Sequence, residues 1–417
     1  MESTPKSLRL HLAVTGRINA GKSTLFNLIA GQDAAITSPA RGTTTDVVEK
    51  AMELRPLGPV VLLDTAGTDD DSVLGSQRTA RTERALDRAD AALLVTAPGV
   101  WGEPEKALAV TFRARKIPFA VVVNRRADDA PAGTGKPVGL ADVPVLEVCA
   151  ADMSARDGFL KRLTAALLKL LPDDAAPPPL LRDLLRPGAL AVLMTPIDLQ
   201  APKGRLILPQ VQAIRDALDG DALAVVAKEN AFPAVYGRLA GRPDLVVCDS
   251  QAVKVMTATT PEGVPQTTFS ILMARMKGDL ARLAAGCAAI PTLKPGDRIL
   301  IAESCTHHAG DDDIGRVKIP RLLEKTVGGK LEISVASGMD YPKDLAEYAL
   351  VVHCGGCMLN RRAMLVRIAE AEAAGVPVTN YGMCISYCSG VLEKVLSPFP
   401  EAWRTYCETL DKTLRKM

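Results

Sequence analysis

The stretch Gly16-Arg17-Ile18-Asn19-Ala20-Gly21-Lys22-Ser23 constrains this chain more than any other. It reads G-x-x-x-x-G-K-S, with apolar residues 8–14 before it and helix-forming residues 24–30 after it. Glycines let backbone N–H groups wrap a chain of phosphates, and the start of a helix adds favourable positive potential. Gly16, Asn19, Ala20, Gly21, Lys22, Ser23 and Thr24 are therefore expected to hold a nucleotide. Lys22 would reach the β- and γ-phosphates, and the Ser23 hydroxyl would bind Mg2+. A strand, this loop and a helix begin a doubly wound α/β domain.

Three further pieces follow at strand ends. Residues 60–63 form an apolar strand that stops at Asp64-Thr65-Ala66-Gly67. Asp64 is expected to hold Mg2+ through water, and the Gly67 backbone to sense the γ-phosphate. Gly42-Thr43-Thr44-Thr45-Asp46 is polar and suits a segment that orders over a triphosphate. Strand 119–123 leads into Asn124-Arg125-Arg126-Ala127-Asp128, and strand 143–148 into Cys149-Ala150-Ala151. Helices expected over 76–88, 103–115 and 156–171 alternate with these strands, as a parallel sheet requires. Together these pieces resemble the translation-factor-related GTPases of the TrmE–Era type. That resemblance implies GTP as ligand, Thr44 closing on Mg2+, and Asn19 binding a K+ ion in place of an arginine finger. It implies catalytic roles for Lys22, Thr44, Asp64 and Gly67, and base recognition by Asn124, Asp128, Cys149 and Ala150. The match departs from the family's N-K-x-D pattern, since lysine is replaced by Arg125 and the aspartate arrives one residue late.

The GTPase domain is expected to span 1–171. Residues 172–180 are a proline-rich linker, stiff and polar as a boundary should be. A small α/β unit over 181–267 follows, with strands at 190–194, 206–208, 223–227 and 244–248 and a helix at 209–218. It has no phosphate loop or ligand cluster, and Lys228 and Glu229 read as surface residues. Such a module is expected to make a homodimer.

From 268 to 417 strand–helix alternation resumes. Strands are expected at 298–303, 331–335, 349–352 and 376–380, and helices at 271–285, 320–327, 342–347, 361–374 and 385–396. Two of these strands stop at Cys305-Thr306-His307 and at His353-Cys354-Gly355-Gly356-Cys357. Ligands in parallel sheets gather outside the carboxyl ends of the strands. Cys305, Cys354 and Cys357, with a histidine or carboxylate, would suit either zinc in a closed Cys3His site or an iron–sulfur cluster. Candidates for the fourth position are His307, His353 and Asp312 of the Asp311-Asp312-Asp313 run. His308 and His353 are alternatively supporting donors behind the ligands. Arg316 and Lys318 would line an anionic cargo site or lie on ordinary surface. Cys384 and Cys388 share one helix face and read as buried small residues, as do Cys149, Cys248, Cys287 and Cys407.

A phosphate loop, a middle module and C-x-H…H-C-x-x-C in one chain resemble the maturation GTPase of iron-only (FeFe) hydrogenases. The resemblance implies a 4Fe-4S cluster on Cys305, Cys354 and Cys357 with a labile fourth ligand. It also implies a scaffold and carrier. Such a protein receives a transient di-iron precursor made with two radical-SAM maturases and delivers it to the apo-hydrogenase. GTP hydrolysis would modulate partner association.

Composition narrows the alternatives. The 417 residues carry a net charge of only +2 and 4% aromatic content, which argues against bulk nucleic-acid or membrane attraction. A ribosome- or RNA-associated TrmE–Era-type GTPase with a structural zinc domain is therefore the second reading. A redox enzyme built on the cluster is a third, without a dinucleotide fingerprint to support it. No apolar run approaches membrane length, and the polar start is unlike a signal peptide. Nine cysteines read as thiols and ligands, in keeping with the reducing cytoplasm.

Overall fold

The computed structural model describes residues 4–31, 48–65, 82–126, 140–171, 177–196, 206–239, 241–304, 313–338, 341–342 and 344–415. It divides into two compact units, 1–176 and 177–417. Among the described residues no helix is long and apolar enough to cross a membrane.

The first unit is built on one six-stranded sheet. Its strands are β1 (Leu10–Thr15), β2 (Val48–Leu54), β3 (Gly58–Asp64), β4 (Ala91–Thr96), β5 (Phe119–Asn124) and β6 (Val145–Val148). They lie in the order β2-β3-β1-β4-β5-β6. All neighbours are parallel except β2, which runs antiparallel to β3 from Val48↔Asp64 to Leu54↔Gly58. Successive strand residues point to opposite faces, so Leu12 and Val14 pack with Leu25, Phe26 and Phe159, while Ala13 packs with Leu94 and Phe112. Helices Lys22–Ala30 and Arg156–Leu170 thus cover one face, and Glu103–Ala114 covers the other. This is the doubly wound α/β arrangement expected. The strand order turns back beside β1, which is where such sheets open a crevice for a ligand.

The second unit holds two four-stranded parallel sheets. The first contains β7 (Leu190–Met194), β8 (Leu223–Ala227), β9 (Leu245–Cys248) and β10 (Gln266–Thr268), in the order β10-β9-β7-β8. The second contains β11 (Arg298–Ala302), β12 (Glu332–Ala336), β13 (Leu350–His353) and β14 (Val378–Asn380), in the order β12-β11-β13-β14. The central strands of each are almost wholly apolar and buried, as strands covered on both faces must be.

Several expected elements differ. Residues 206–208 make no strand; helix Leu208–Asp219 begins there, with Pro209 in its first turn. Residues 271–285 are two helices, Phe269–Lys277 and Leu280–Cys287, because Asp279 starts a new helix by accepting the Arg282 N–H at 3.0 Å. Residues 385–396 likewise split into Tyr381–Cys388 and Leu392–Leu396 at Gly390, whose φ is +72°. The first of these starts early because the Asn380 side chain caps it, accepting from Met383 N at 2.9 Å. In place of a helix over 342–347 there is a short 3-10 turn, Leu345–Glu347. Strand β2 and the terminal helix Pro400–Leu414 were not foreseen.

Candidate functional site

In the first unit the phosphate loop leaves β1 and enters helix Lys22–Ala30. Gly16 approaches β4 so closely that a Cβ there would overlap the Val95 carbonyl. Gly21 has φ +85°, and a Cβ on it would overlap the Asn124 amide. Only glycine fits either place. Asn19 also adopts a left-handed conformation (φ +62°) and is exposed, as is Thr24. Lys22 is buried and its ammonium donates to the Arg17 carbonyl at 2.8 Å.

Ser23 and Asp64 are brought together: the Ser23 hydroxyl donates to Asp64 Oδ2 at 3.0 Å. Burial raises the Asp64 carboxyl above the usual aspartate range, against the Ser23 hydroxyl and the Lys22 ammonium. Among the described residues the buried Asp64 Oδ1 has no hydrogen-bond partner. A hydroxyl, a carboxylate and a spare buried oxygen suit a hydrated Mg2+. Asn124 ties two loops together, donating to the Ala20 carbonyl at 3.3 Å and accepting from Ala150 N at 3.0 Å. Beside this bridge, Arg125, Arg126, Glu147, Val148, Cys149 and Asp152 line a cavity of about 520 Å3. Thr44, Gly67 and Asp128 lie outside the described residues.

One member of this site was not foreseen. Arg17 forms two 2.6 Å hydrogen bonds with Glu105, a wholly buried carboxylate in the first turn of helix Glu103–Ala114. Glu105 also accepts from Gly102 N at 2.9 Å, closing the helix start. Burial pushes its carboxyl up, but Arg17 and the Gly102 N–H hold its pKa below the ordinary value of 4.5.

In the second unit the two cysteine-bearing segments leave neighbouring strands. β11 pairs with β13 in the register Ala302↔His353, and Cys354 N donates to the Ala302 carbonyl at 2.9 Å. The Cys354 sulfur accepts from Ser304 N at 3.2 Å and Gly356 N at 3.4 Å, and the Ser304 hydroxyl lies 3.0 Å from it. Cys357 is half-buried beside it, and burial followed by the neighbouring Cys354 pushes its thiol up. Lys277 is buried nearby, and its ammonium donates to the Leu359 carbonyl, two residues beyond Cys357. Among the described residues no three His, Cys, Asp or Glu side chains converge as a metal site; Cys305, His307, His308, Asp311 and Asp312 lie outside them. The donor set around Cys354 fits a metal-bound thiolate.

His353 is buried and both ring nitrogens are engaged. Its Nδ1 lies 3.0 Å from the Cys354 carbonyl and its Nε2 3.1 Å from the Arg367 guanidinium. The guanidinium only donates, so Nε2 accepts and Nδ1 carries the proton. Arg316 bonds Glu303 at 2.8 Å and Ser337 at 3.0 Å, and Lys318 bonds Gln251. Cys384 is buried against Cys388, with Cys287 and Thr326 nearby, which is a packing arrangement.

Comparison with known proteins joins these two sites. Residues 180–278 match the hydrogen maturase F dimerization domain, and residues 281–398 match its tetramerization domain. The two together cover just over half of the chain. The chain belongs to the hydrogen maturase F family. Residues 11–125 match the 50S ribosome-binding GTPase model, so this hydrogen maturase F chain carries a GTPase domain followed by two oligomerization domains. The tRNA modification GTPase MnmE of Synechococcus sp. (strain JA-3-3Ab) is 42% identical over 125 residues, 29% of this chain and 26% of that protein. MnmE of Cereibacter sphaeroides is 52% identical over 81 residues, 19% of this chain and 18% of that one. The chain thus spans about a quarter or less of these curated relatives. Among solved structures, Aquifex aeolicus Era bound to GDP.AlF4- matches over 79% of this chain and 92% of that one, at 18% identity and a TM-score of 0.32. The G domain of the T. maritima FeoB iron transporter covers 39% and 98%, at 19% identity and a TM-score of 0.25.

Proposed function

We propose that this chain is a GTP-hydrolysing scaffold that binds a 4Fe-4S cluster and passes a di-iron precursor to apo FeFe-hydrogenase, in concert with radical-SAM maturases in the cytoplasm. The observation that carries this reading is the Cys354 sulfur, just past the carboxyl end of β13, accepting from Ser304 N and Gly356 N with the Ser304 hydroxyl 3.0 Å away. Cys305, Cys354 and Cys357 are the cluster ligands in this reading, with His307 or Asp312 at an exchangeable fourth position. With both ring nitrogens engaged, His353 orients the turn instead of binding iron. When bound, the cluster would supply an iron with a replaceable ligand, to which cargo attaches reversibly.

In the GTPase domain, Ser23, Asp64 and Thr44 would hold Mg2+, Asn19 a K+ ion, and Gly67 would register the γ-phosphate. Guanine would lie in the cavity walled by Arg125 and Cys149, next to Asn124, Ala150 and Asp128. The module boundaries we favour are 1–171, 181–267 and 268–417. A homodimer would form through the middle module. Its edge strand β8 exposes Leu223 and Val226, and helix Leu208–Asp219 exposes Val211 and Leu218.

Anaerobic reconstitution with iron and sulfide tests the reading. The wild-type chain should turn brown and give a cluster EPR signal on reduction, with imidazole altering it at the open position. Cys354→Ser or Cys357→Ser should abolish both colour and signal. A colourless chain with one tightly held zinc would overturn the proposal.

A further inference from the structure

Helix Phe269–Lys277 ends on a lysine that does not reach solvent. Lys277 is 1% exposed, and its ammonium donates to the Leu359 carbonyl, two residues beyond Cys357. The same helix end is held from the other side by Arg361, whose guanidinium bonds the carbonyls of Met276 at 2.9 Å and Gly278 at 2.8 Å. Met273, one turn earlier, packs against the cysteine turn: a Cβ built on Gly355 would lie 3.8 Å from the Met273 Cβ. The segment 354–361 is therefore seated on the last turns of this helix, and the ammonium is fastened to it two residues beyond Cys357.

Removing an ammonium from water costs several kcal/mol unless negative charge is near. The Lys277 ammonium is 1% exposed and donates to the Leu359 carbonyl, on the segment that carries Cys354 and Cys357. The cation is thus tied to the half-buried turn that carries both sulfurs. An ordinary structural lysine would snorkel outward and keep its head in water.

We propose that Lys277 is a positioning residue for an anionic metal–thiolate centre on Cys354 and Cys357, holding the turn closed and raising the centre's reduction potential. This rests on the reading that the cysteine pair holds an iron–sulfur cluster. One-electron reduction adds a negative charge to a centre that thiolates already make negative. A buried cation close by stabilises the reduced form more than the oxidised one. Charge and hydrogen bonding around the sulfurs are the protein's means of setting such potentials.

The test uses the full chain as wild type, Lys277→Arg, Lys277→Met and Lys277→Gln, reconstituted anaerobically and titrated with dithionite under EPR. Thermal melts establish that each variant folds. The expected result is a cluster signal at similar midpoint potential in wild type and Lys277→Arg, with the midpoint moved to lower potential in the two neutral variants. Iron loss from both neutral variants with retention in Lys277→Arg supports the proposal too, since charge is then what distinguishes them. Neutral variants that load iron and keep the wild-type midpoint overturn the role of Lys277 alone. A wild-type chain that takes up no iron overturns both the centre and the role of the lysine in it.

Discussion

Arg17 and Glu105 lie 88 residues apart in sequence and grip one another through a pair of 2.6 Å hydrogen bonds, one to each carboxylate oxygen. The carbonyl of that same Arg17 receives the Lys22 ammonium. Glu105 therefore fixes the residue on which the Lys22 ammonium rests. Glu105→Ala should lower stability by about 2 kcal/mol, the scale of charge-assisted hydrogen bonds. It should also weaken GTP binding about tenfold, equivalent to about 1.4 kcal/mol. Thermal melts and calorimetric GTP titration measure the two effects separately.

The same pair has a pH signature. The Glu105 carboxyl is held below its ordinary value of 4.5 in the folded state. The unfolded chain then binds more protons than the folded one below that pH, so the pair's contribution is complete above 4.5 and fades as the pH falls further. The acid limb of stability against pH should flatten in Glu105→Gln. Denaturant melts between pH 5 and pH 3 (about the carboxylate range) would detect it.

Asp64→Asn removes the carboxylate that faces Ser23 while keeping its shape. Phosphate release should fall about 100-fold, or about 2.7 kcal/mol of barrier, and lose its dependence on Mg2+. A phosphate-release assay across a Mg2+ series reads both.

Gly286 sits where helix Leu280–Cys287 crosses β14, and a Cβ there would overlap the Val378 backbone carbonyl. Alanine ordinarily improves a helix over glycine by about 1 kcal/mol. Here the obstacle is main chain, which cannot swing aside, so Gly286→Ala should instead cost about 3 kcal/mol. Denaturant unfolding gives the sign directly.

His353→Ala deprives the buried Arg367 of an acceptor and opens a void under the cysteine turn. A loss of about 3 kcal/mol is expected. Iron per chain in the folded fraction should match wild type, since the ring in our reading supports the site without binding iron.

The phosphate loop was legible because glycine, lysine and serine at that spacing answer one local demand, and its strand and helix adjoin it in sequence. The parallel strands were legible for a similar reason, since runs such as 298–302 and 349–352 are apolar throughout. Glu105 and Lys277 were not. Each looks like a solvated charge at a helix terminus, and each is buried by residues about 80 to 90 positions away: Arg17 for the first, Leu359 for the second. The breaks at Gly278-Asp279 and Gly390 were missed because apolar periodicity runs through them. The cap at Asp279 was the available signal. β2 was missed because three of its seven residues are charged and all but Leu54 reach solvent, and its pairing with β3 supplies what its pattern lacks.

Helix Phe269–Lys277 begins at Thr268, the last residue of β10, and its far end bears on the cysteine turn. Nine helical residues make a strut of about 13 Å with no loop in it to absorb movement. A displacement of β10 is therefore carried along the strut to the segment that bears the sulfurs. The middle sheet and the cysteine turn are geared to one another through that single helix.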